Sequence, residues 1–252
     1  METLTEEAWA AIQRGRDDCL VCRRDPALDT KGAVPSRPWW PECQGRFLLV
    51  SEAPPLTGGF WRTGQYDDLR EHVCSVLQGL GYRLPSDFHG DPAIRTFMAG
   101  NLFLLQTVKW PLAKGSGKRR PSFNGLGPRT QDRLVTHTTA THLGPELALL
   151  APRAVLAMGT AAWRACGRFI QTRTDLGEIR VSAARSQRYE MTVEGQPIPL
   201  DVTSLAVDQN MRRPVDAAVI REDIAEFLKR HCSSQPGQVE PGQARPMVSD
   251  EV

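Results

Sequence analysis

Four apolar runs, separated by segments with helical spacing, constrain the fold of this chain more than any other feature. They are Phe47–Val50, Phe97–Pro111, Pro152–Gly159 and Pro197–Ser204. The first three are typical of parallel strands buried on both faces, and the fourth also predicts a strand. Because helical segments lie between the runs, the pattern predicts a three-layer α/β/α domain with a central four-stranded parallel sheet.

Two flanking segments complete the predicted organisation. Residues 1–45 hold an amphipathic helix pattern followed by three cysteines, and they precede the domain predicted over residues 46–231. Residues 232–252 are rich in Ser, Gln, Pro and Gly and lack an apolar stripe, so we expect a disordered tail. No stretch reaches the ~18 apolar residues of a membrane span, and the acidic start is unlike a signal peptide. We therefore expect a cytoplasmic monomer without a membrane partner.

The net charge of +2 is too small to indicate a nucleic-acid partner by itself. A local loop is more basic, because Lys118, Arg119 and Arg120 follow one another between Gly and Ser residues. Such a loop suits contact with a phosphate backbone, and an ordinary solvated surface loop is an equally good interpretation.

Polar residues follow the ends of the predicted strands, where parallel sheets place their ligand crevice. Glu52 follows the first run, and its loop continues to Phe60 and Trp61. A helix begins directly after the third run at Gly159, and the amides of a helix start can bind an anion. Glu52 is thus a candidate crevice residue. The alternatives are a solvated side chain or one held by amides of its own loop.

Six cysteines in a chain without a secretion signal are expected to be thiols or metal ligands rather than disulfides. Cys19, Cys22 and Cys43 fall close together before the first predicted strand, which suggests a zinc site. The candidates for its fourth ligand are His137, His142 and Cys74. Reduced structural thiols are the other interpretation.

Four motifs occur in order between residues 19 and 231: Cys19-Leu-Val-Cys22, Val50-Ser-Glu-Ala-Pro-Pro55, Leu104-Leu-Gln-Thr-Val-Lys-Trp-Pro111 and Leu150-Ala-Pro-Arg-Ala-Val-Leu-Ala-Met-Gly-Thr-Ala-Ala162. They are similar to the CxxC, G-E-A-P-G, N-x-x-K-C-x-P and L-x-P-K-x-I-x-x-L-G-x-x-A segments of the uracil-DNA glycosylase superfamily. The chain resembles most closely the family 4 and family 4-like branches. The order and spacing carry this resemblance, since each motif is weak alone.

The resemblance implies an enzyme that removes uracil or a related deaminated base from damaged or single-stranded DNA. Such an enzyme holds the extruded base and cleaves the N-glycosidic bond through a cationic sugar. Glu52 would orient water or stabilise the developing positive charge. Phe60 would stack on the base, with Trp61 as its alternative. Gln106 stands where the family places an Asn that reads the edge of the base.

The resemblance also implies contacts to phosphates and to the leaving base. The phosphate candidates are Lys109, Lys118, Arg119, Arg120, Gly159, Thr160, Arg212 and Arg213. The family carries a His in its fourth motif, but residues 200–213 contain none. Thr203, Ser204 and Asn210 remain there as weaker donors. Loss of one donor to a developing anion costs ~10²–10³ in rate, so we expect slow, altered or absent activity.

The family's iron–sulfur cluster is not expected in this chain. The cluster needs four thiolates, whereas Trp110 and about Thr139 stand at the third and fourth cysteine positions. The implied chemistry requires no cofactor.

Two other functions stay open at this stage. A non-catalytic nucleic-acid-binding protein could keep the fold without the chemistry. The absence of the His and the presence of Gln106 in place of the family's Asn favour this function. A nucleoside or nucleotide hydrolase could use the same crevice without DNA. The chain contains neither a G-x-G-x-x-G nor a P-loop pattern, which argues against dinucleotide and triphosphate binding.

Overall fold

The computed structural model describes residues 5–31, 33–40, 47–113, 122–171, 179–185 and 187–232. The elements are α1 (Glu6–Asp17), α2 (Leu20–Arg24), β1 (Phe47–Ser51), α3 (Asp68–Gly79), α4 (Asp91–Ala99), β2 (Leu102–Gln106), a 3₁₀ turn (Phe123–Gly125), α5 (Pro128–Thr138), a π-helical turn (Thr139–Leu143), α6 (Gly144–Leu150), β3 (Ala154–Met158), α7 (Thr160–Gly167), α8 (Val181–Ala184), β4 (Tyr189–Val193), β5 (Gln196–Thr203), α9 (Asp208–Met211) and α10 (Pro214–Cys232). Among the described helices, none has the length and hydropathy to cross a membrane. Three predictions concern residues outside these ranges, namely Cys43, the basic loop with Lys118, Arg119 and Arg120, and the tail after residue 232.

The described strands form one sheet in the order β2-β1-β3-β5-β4. β1 pairs in parallel with β2 and β3, β3 pairs in parallel with β5, and β4 is antiparallel to β5. Helices α3, α9 and α10 contact one another, and α1 and α5 contact the α6 and α7 segments. Right-handed crossovers place these two groups on opposite faces of the sheet. The α/β prediction is therefore confirmed, with one strand more than expected.

The additional strand, β4, was not among the four predicted runs. Glu194 and Gly195 connect β4 to β5 with φ angles of 48° and 79°, the two positive values that a type I′ hairpin turn requires. β4 buries Met191 and Val193 and leaves the intervening residues more exposed. Its half-exposed pattern explains why a search for continuous apolar runs did not find it.

The second apolar run is partly helical, which corrects the predicted strand boundary. Ile94, Phe97 and Met98 are buried on one face of α4 at the i, i+3, i+4 spacing of a helix. Pro92 fits the first turn of that helix, and Asn101 with φ 59° follows its end. Only the part of the run that forms β2 is a strand.

The sheet order fixes where a ligand crevice is expected. β1 lies between β2 and β3, so the connections that leave β1 and β3 depart on opposite sides of the sheet. In open α/β sheets this switch point, at the carboxyl ends of the strands, is the usual binding site. Glu52 follows β1, and α7 begins directly after β3.

Candidate functional site

The carboxylate of Glu52 caps the start of α7. Its Oε1 accepts a hydrogen bond from the backbone N–H of Ala161 at 3.2 Å. Gly159 makes this approach possible, because a Cβ at that position would lie 2.8 Å from Oε1 of Glu52. Burial raises the pKa of Glu52, while the amides of Ala161 and Thr160 act in the opposite direction. The chain thus holds an acidic group at the switch point, in contact with the positive end of a helix.

The position of Glu52 corrects the prediction that Gly159 and Thr160 bind phosphate. The side chain of Glu52 occupies this helix start, because its Oε1 accepts from Ala161 and its atoms fill the space beside Gly159. The amides also belong to α7 and not to the loop of Glu52, which differs from the alternative considered from the sequence. Gly159 and Thr160 therefore position Glu52 in this structure.

Gln106 ends β2, and it is paired in register with Ser51, the residue before Glu52. Its side chain is buried, and its Oε1 has no hydrogen-bond partner among the described residues. A Cβ on Gly59 would lie 3.0 Å from the Nε2 atom of Gln106, so the loop after β1 passes directly over the amide. Buried amide oxygens are normally hydrogen-bonded, so this oxygen is an unsatisfied acceptor, and a ligand donor would reach it only if the loop after β1 moved.

Phe60 and Trp61 are core residues in this structure, in contrast to their predicted role in stacking on a base. Phe60 is fully buried and packs on Phe97, with ring centroids 5.0 Å apart. Trp61 packs on Phe103 at 4.7 Å, and its indole N–H donates to the carbonyl of Leu104 at 3.0 Å. Neither ring presents an open face to a ligand, so stacking would require the loop after β1 to move.

Lys109 is also placed differently from the prediction, which assigned it to a phosphate. Only 1% of its side chain is exposed, and its ammonium donates to the carbonyl of Gln106 and pairs with the carboxylate of Glu146. Burial lowers the pKa of Lys109, and the neighbouring Glu146 carboxylate opposes that shift. Lys109 therefore fastens the end of β2 to α6 and does not face solvent.

The predicted donors after β5 are only partly available. The hydroxyl of Thr203 donates to Asp223 at 2.6 Å, and Arg185 binds the same carboxylate. The amide of Asn210 donates to the carbonyl of Leu205 at 2.8 Å. Both groups are engaged within the protein.

Three further predicted residues near the end of β5 are accessible. Ser204 is half-buried, and Arg212 and Arg213 are exposed. Arg213 lies 3.7 Å from Asp216 in an exposed pair, which leaves its guanidinium open to other partners. Of the predicted phosphate contacts that the structure describes, these two arginines alone are exposed cations.

A second group of residues combines Cys19, Cys22, His137 and His142. One ligand atom from each residue falls within 4.8 Å of all the others. The Sγ of Cys19 is 3.2 Å from Nε2 of His137, and the Sγ of Cys22 is 3.5 Å from Nε2 of His142. The group could hold a metal ion. Both histidines were named from the sequence only as alternatives for one position, and Cys74 is not part of the described group.

The histidines reach the same point because of the π-helical turn between α5 and α6. His137 and His142 are five residues apart, and an α-helix with about 3.6 residues per turn would direct them to different sides. A π turn instead aligns residues about five apart. The two rings are consequently neighbours, with centroids 5.7 Å apart. Burial lowers the pKa of both imidazoles, that of His142 to about 3, so both are neutral at neutral pH.

Comparisons with known proteins do not assign this chain to a family. No family model matches it, and no curated protein matches its sequence. The resemblance to the uracil-DNA glycosylase superfamily therefore stays a hypothesis based on the four ordered motifs.

Proposed function

We propose that this chain is a DNA glycosylase, which removes uracil or another deaminated base by hydrolysis of the N-glycosidic bond in base excision repair. One observation carries the proposal. Glu52 and Gln106 stand at the ends of neighbouring strands beside the switch point, and the Oε1 of Gln106 has no partner among the described residues. A carboxylate and an amide with an unsatisfied oxygen, at the ends of adjacent strands, are groups that a base-excising site can use.

Gln106 fits the recognition of a uracil-like base. The edge of such a base presents a ring N–H between two carbonyl oxygens. The Oε1 of Gln106 can accept the ring N–H while its Nε2 donates to a carbonyl, so one amide reads both groups. A donor from the base would satisfy an oxygen that is otherwise buried without a partner.

Glu52 fits the chemical step. As the glycosidic bond breaks, the sugar becomes positively charged, and an ionised carboxylate nearby stabilises that charge or orients the attacking water. The amides at the start of α7 hold this carboxylate in place. Because burial raises the pKa of Glu52, the active ionised fraction grows as the pH rises.

The remaining groups support a slow enzyme that acts on DNA. Arg212 and Arg213 are exposed near the end of β5, where they can bind phosphates of damaged or single-stranded DNA. The leaving base has Ser204 as an accessible donor in place of a His. The proposed chemistry uses water and protein groups and requires no cofactor.

Cleavage of damaged oligonucleotides tests the proposal. Purified protein is incubated with single- and double-stranded oligonucleotides containing uracil, hypoxanthine or xanthine, and alkali then breaks the abasic products. Glu52→Gln and Gln106→Ala should lower the rate by ~10²–10³, whereas Glu222→Gln, an exposed carboxylate change on α10, should not. No cleavage of any substrate at enzyme excess would overturn the proposal.

A non-catalytic DNA-binding protein is the second candidate, and the burial of Phe60 and Trp61 favours it. A protein of this kind would bind the same oligonucleotides with an affinity that falls as salt increases, without cleaving them. Binding that Glu52→Gln leaves unchanged, together with no wild-type cleavage, would support this candidate over the enzyme.

A further inference from the structure

We propose that Cys19, Cys22, His137 and His142 bind one Zn²⁺ ion in a closed tetrahedral site, in place of the iron–sulfur cluster of the resembled family. The proposal does not depend on glycosylase activity, because it concerns a group of residues remote in sequence from the strand-end loops.

The distances between the ligand atoms match a single zinc ion. With Zn–S near 2.3 Å and Zn–N near 2.0–2.1 Å, a tetrahedral site separates sulfur from nitrogen by about 3.6 Å. The observed separations are 3.2 Å for Cys19 and His137 and 3.5 Å for Cys22 and His142. All four ligand atoms lie within 4.8 Å of one another, which leaves room for one ion at their centre.

An iron–sulfur cluster does not fit the same residues. A four-iron cluster is held by four thiolates, and this site offers two. A two-iron cluster with two cysteines and two histidines binds the cysteines to one iron and the histidines to the other. Here each sulfur instead lies next to a nitrogen, as around one metal ion.

The surroundings of the ligands are those of a metal site. The second ring nitrogen of His137, Nδ1, lies 3.4 Å from the hydroxyl of Thr141, a contact of the kind that fixes the orientation of a metal-binding imidazole. The π turn that aligns the two histidines is a rare distortion, and such turns occur frequently at functional sites.

Charge around the group also favours bound thiolates. Arg16 is buried, and its two terminal nitrogens have no hydrogen-bond partner among the described residues. Lys109 and Arg16 both act electrostatically on His142, and Lys109 also acts on Cys22. Two thiolates and two neutral imidazoles leave the zinc ion and its ligands neutral overall beside these two cations.

Four protein ligands leave no open position for a substrate, so the proposed ion is structural. It joins α2 to α5 and the π turn, across sequence separations of 118 and 120 residues. The ion pair between Asp25 and Arg133, at 2.7 Å, connects the same two parts of the chain. The site therefore anchors the segment that precedes the sheet.

Metal analysis of the purified full-length protein tests the proposal. Growth with zinc should give about one zinc ion per chain, without iron or acid-labile sulfide. Cys19→Ser and His137→Ala alter the two less buried ligands, and each should lose most of the metal. Cys74→Ser and Cys166→Ser change other buried thiols and should retain it.

A measurement on the wild-type protein covers the case in which a ligand variant does not fold. After chelation, titration with Co²⁺ should produce the visible absorption of a tetrahedral cobalt ion with sulfur ligands, and Zn²⁺ should abolish it. Iron with sulfide, no metal at excess zinc, or full zinc content in both ligand variants would overturn the proposal. None of these measurements depends on DNA cleavage, so the metal proposal can be tested even if the protein does not cleave DNA.

Discussion

Replacing Gly159 by alanine tests whether Glu52 and the start of α7 form one structural unit. Gly159 has φ +90°, and a Cβ there would lie 2.8 Å from Oε1 and 3.0 Å from Cδ of Glu52. Gly81 is a matched control, because its φ is +93° and a Cβ on it would meet nothing within 4 Å. Both substitutions strain the backbone, and only the first creates a collision.

The size of the effect follows from these two contributions. A non-glycine residue held in an unfavourable region of φ and ψ costs about 1–3 kcal/mol, and this cost applies to both glycines. Overpacking at a filled position adds about 1–3 kcal/mol, which applies only to Gly159. We therefore expect Gly159→Ala to lower the free energy of unfolding by about 2–6 kcal/mol and Gly81→Ala by about 1–3 kcal/mol.

A double-mutant cycle with Glu52→Ala separates the two contributions. Truncation of Glu52 removes the atoms that the new Cβ would meet, so Gly159→Ala should be less costly in that background by about 1–3 kcal/mol. Urea denaturation of the four proteins, followed by circular dichroism, gives the unfolding free energies.

One result would refute this reasoning. In that result, Gly159→Ala lowers the free energy of unfolding equally with Glu52 present or replaced by Ala, and no more than Gly81→Ala does. The close approach of the carboxylate would then not be the reason that position 159 requires glycine. Glu52 would then not be held against α7 as the structure shows.

Two further predictions concern buried charges. Glu146→Gln should destabilise the fold by about 3–5 kcal/mol, because Lys109 would stay buried without its counter-ion. Lys109→Met combined with Glu146→Leu removes both charges and should recover most of that loss. An equal loss of unfolding free energy in the double variant, measured by urea denaturation, would contradict the prediction. Glu52→Gln should flatten the pH dependence of stability. Burial raises the folded pKa of Glu52, so its stabilising contribution is present at low pH and is lost as the pH rises through the raised pKa. The free energy of unfolding of the variant should equal that of the wild type near about pH 4 and exceed it near about pH 8. The same change of unfolding free energy with pH in both proteins would contradict this expectation.

The sequence predicted the parts of the fold and site that depend on local pattern. A strand buried on both faces is mostly apolar, so β1, β2 and β3, which are buried at every position, each appear in the sequence as an apolar run, whereas β5 is only partly buried. A polar residue directly after such a run has to lie at the carboxyl edge of the sheet. That rule was sufficient to place Glu52 and Gln106 near the same edge.

The roles of individual side chains depended on contacts that no local pattern records. Phe60, Trp61 and Lys109 follow strand ends as the sequence predicted, yet packing against α4, β2 and α6 buries all three. Whether an aromatic ring or an ammonium faces a ligand depends on what covers it, and the covering residues are distant in sequence. The same applies to the start of α7, where a carboxylate from another strand end fills the predicted anion site.

The Cys–His group shows this division most clearly. The sequence alone determined that Cys19 and Cys22, which are separated by two residues, could act as a ligand pair. Only the tertiary structure decided their partners, because the two histidines lie more than a hundred residues further along the chain and folding brings α5 beside α2. The π turn then aligns His137 with His142, which a regular α-helix would direct to different sides.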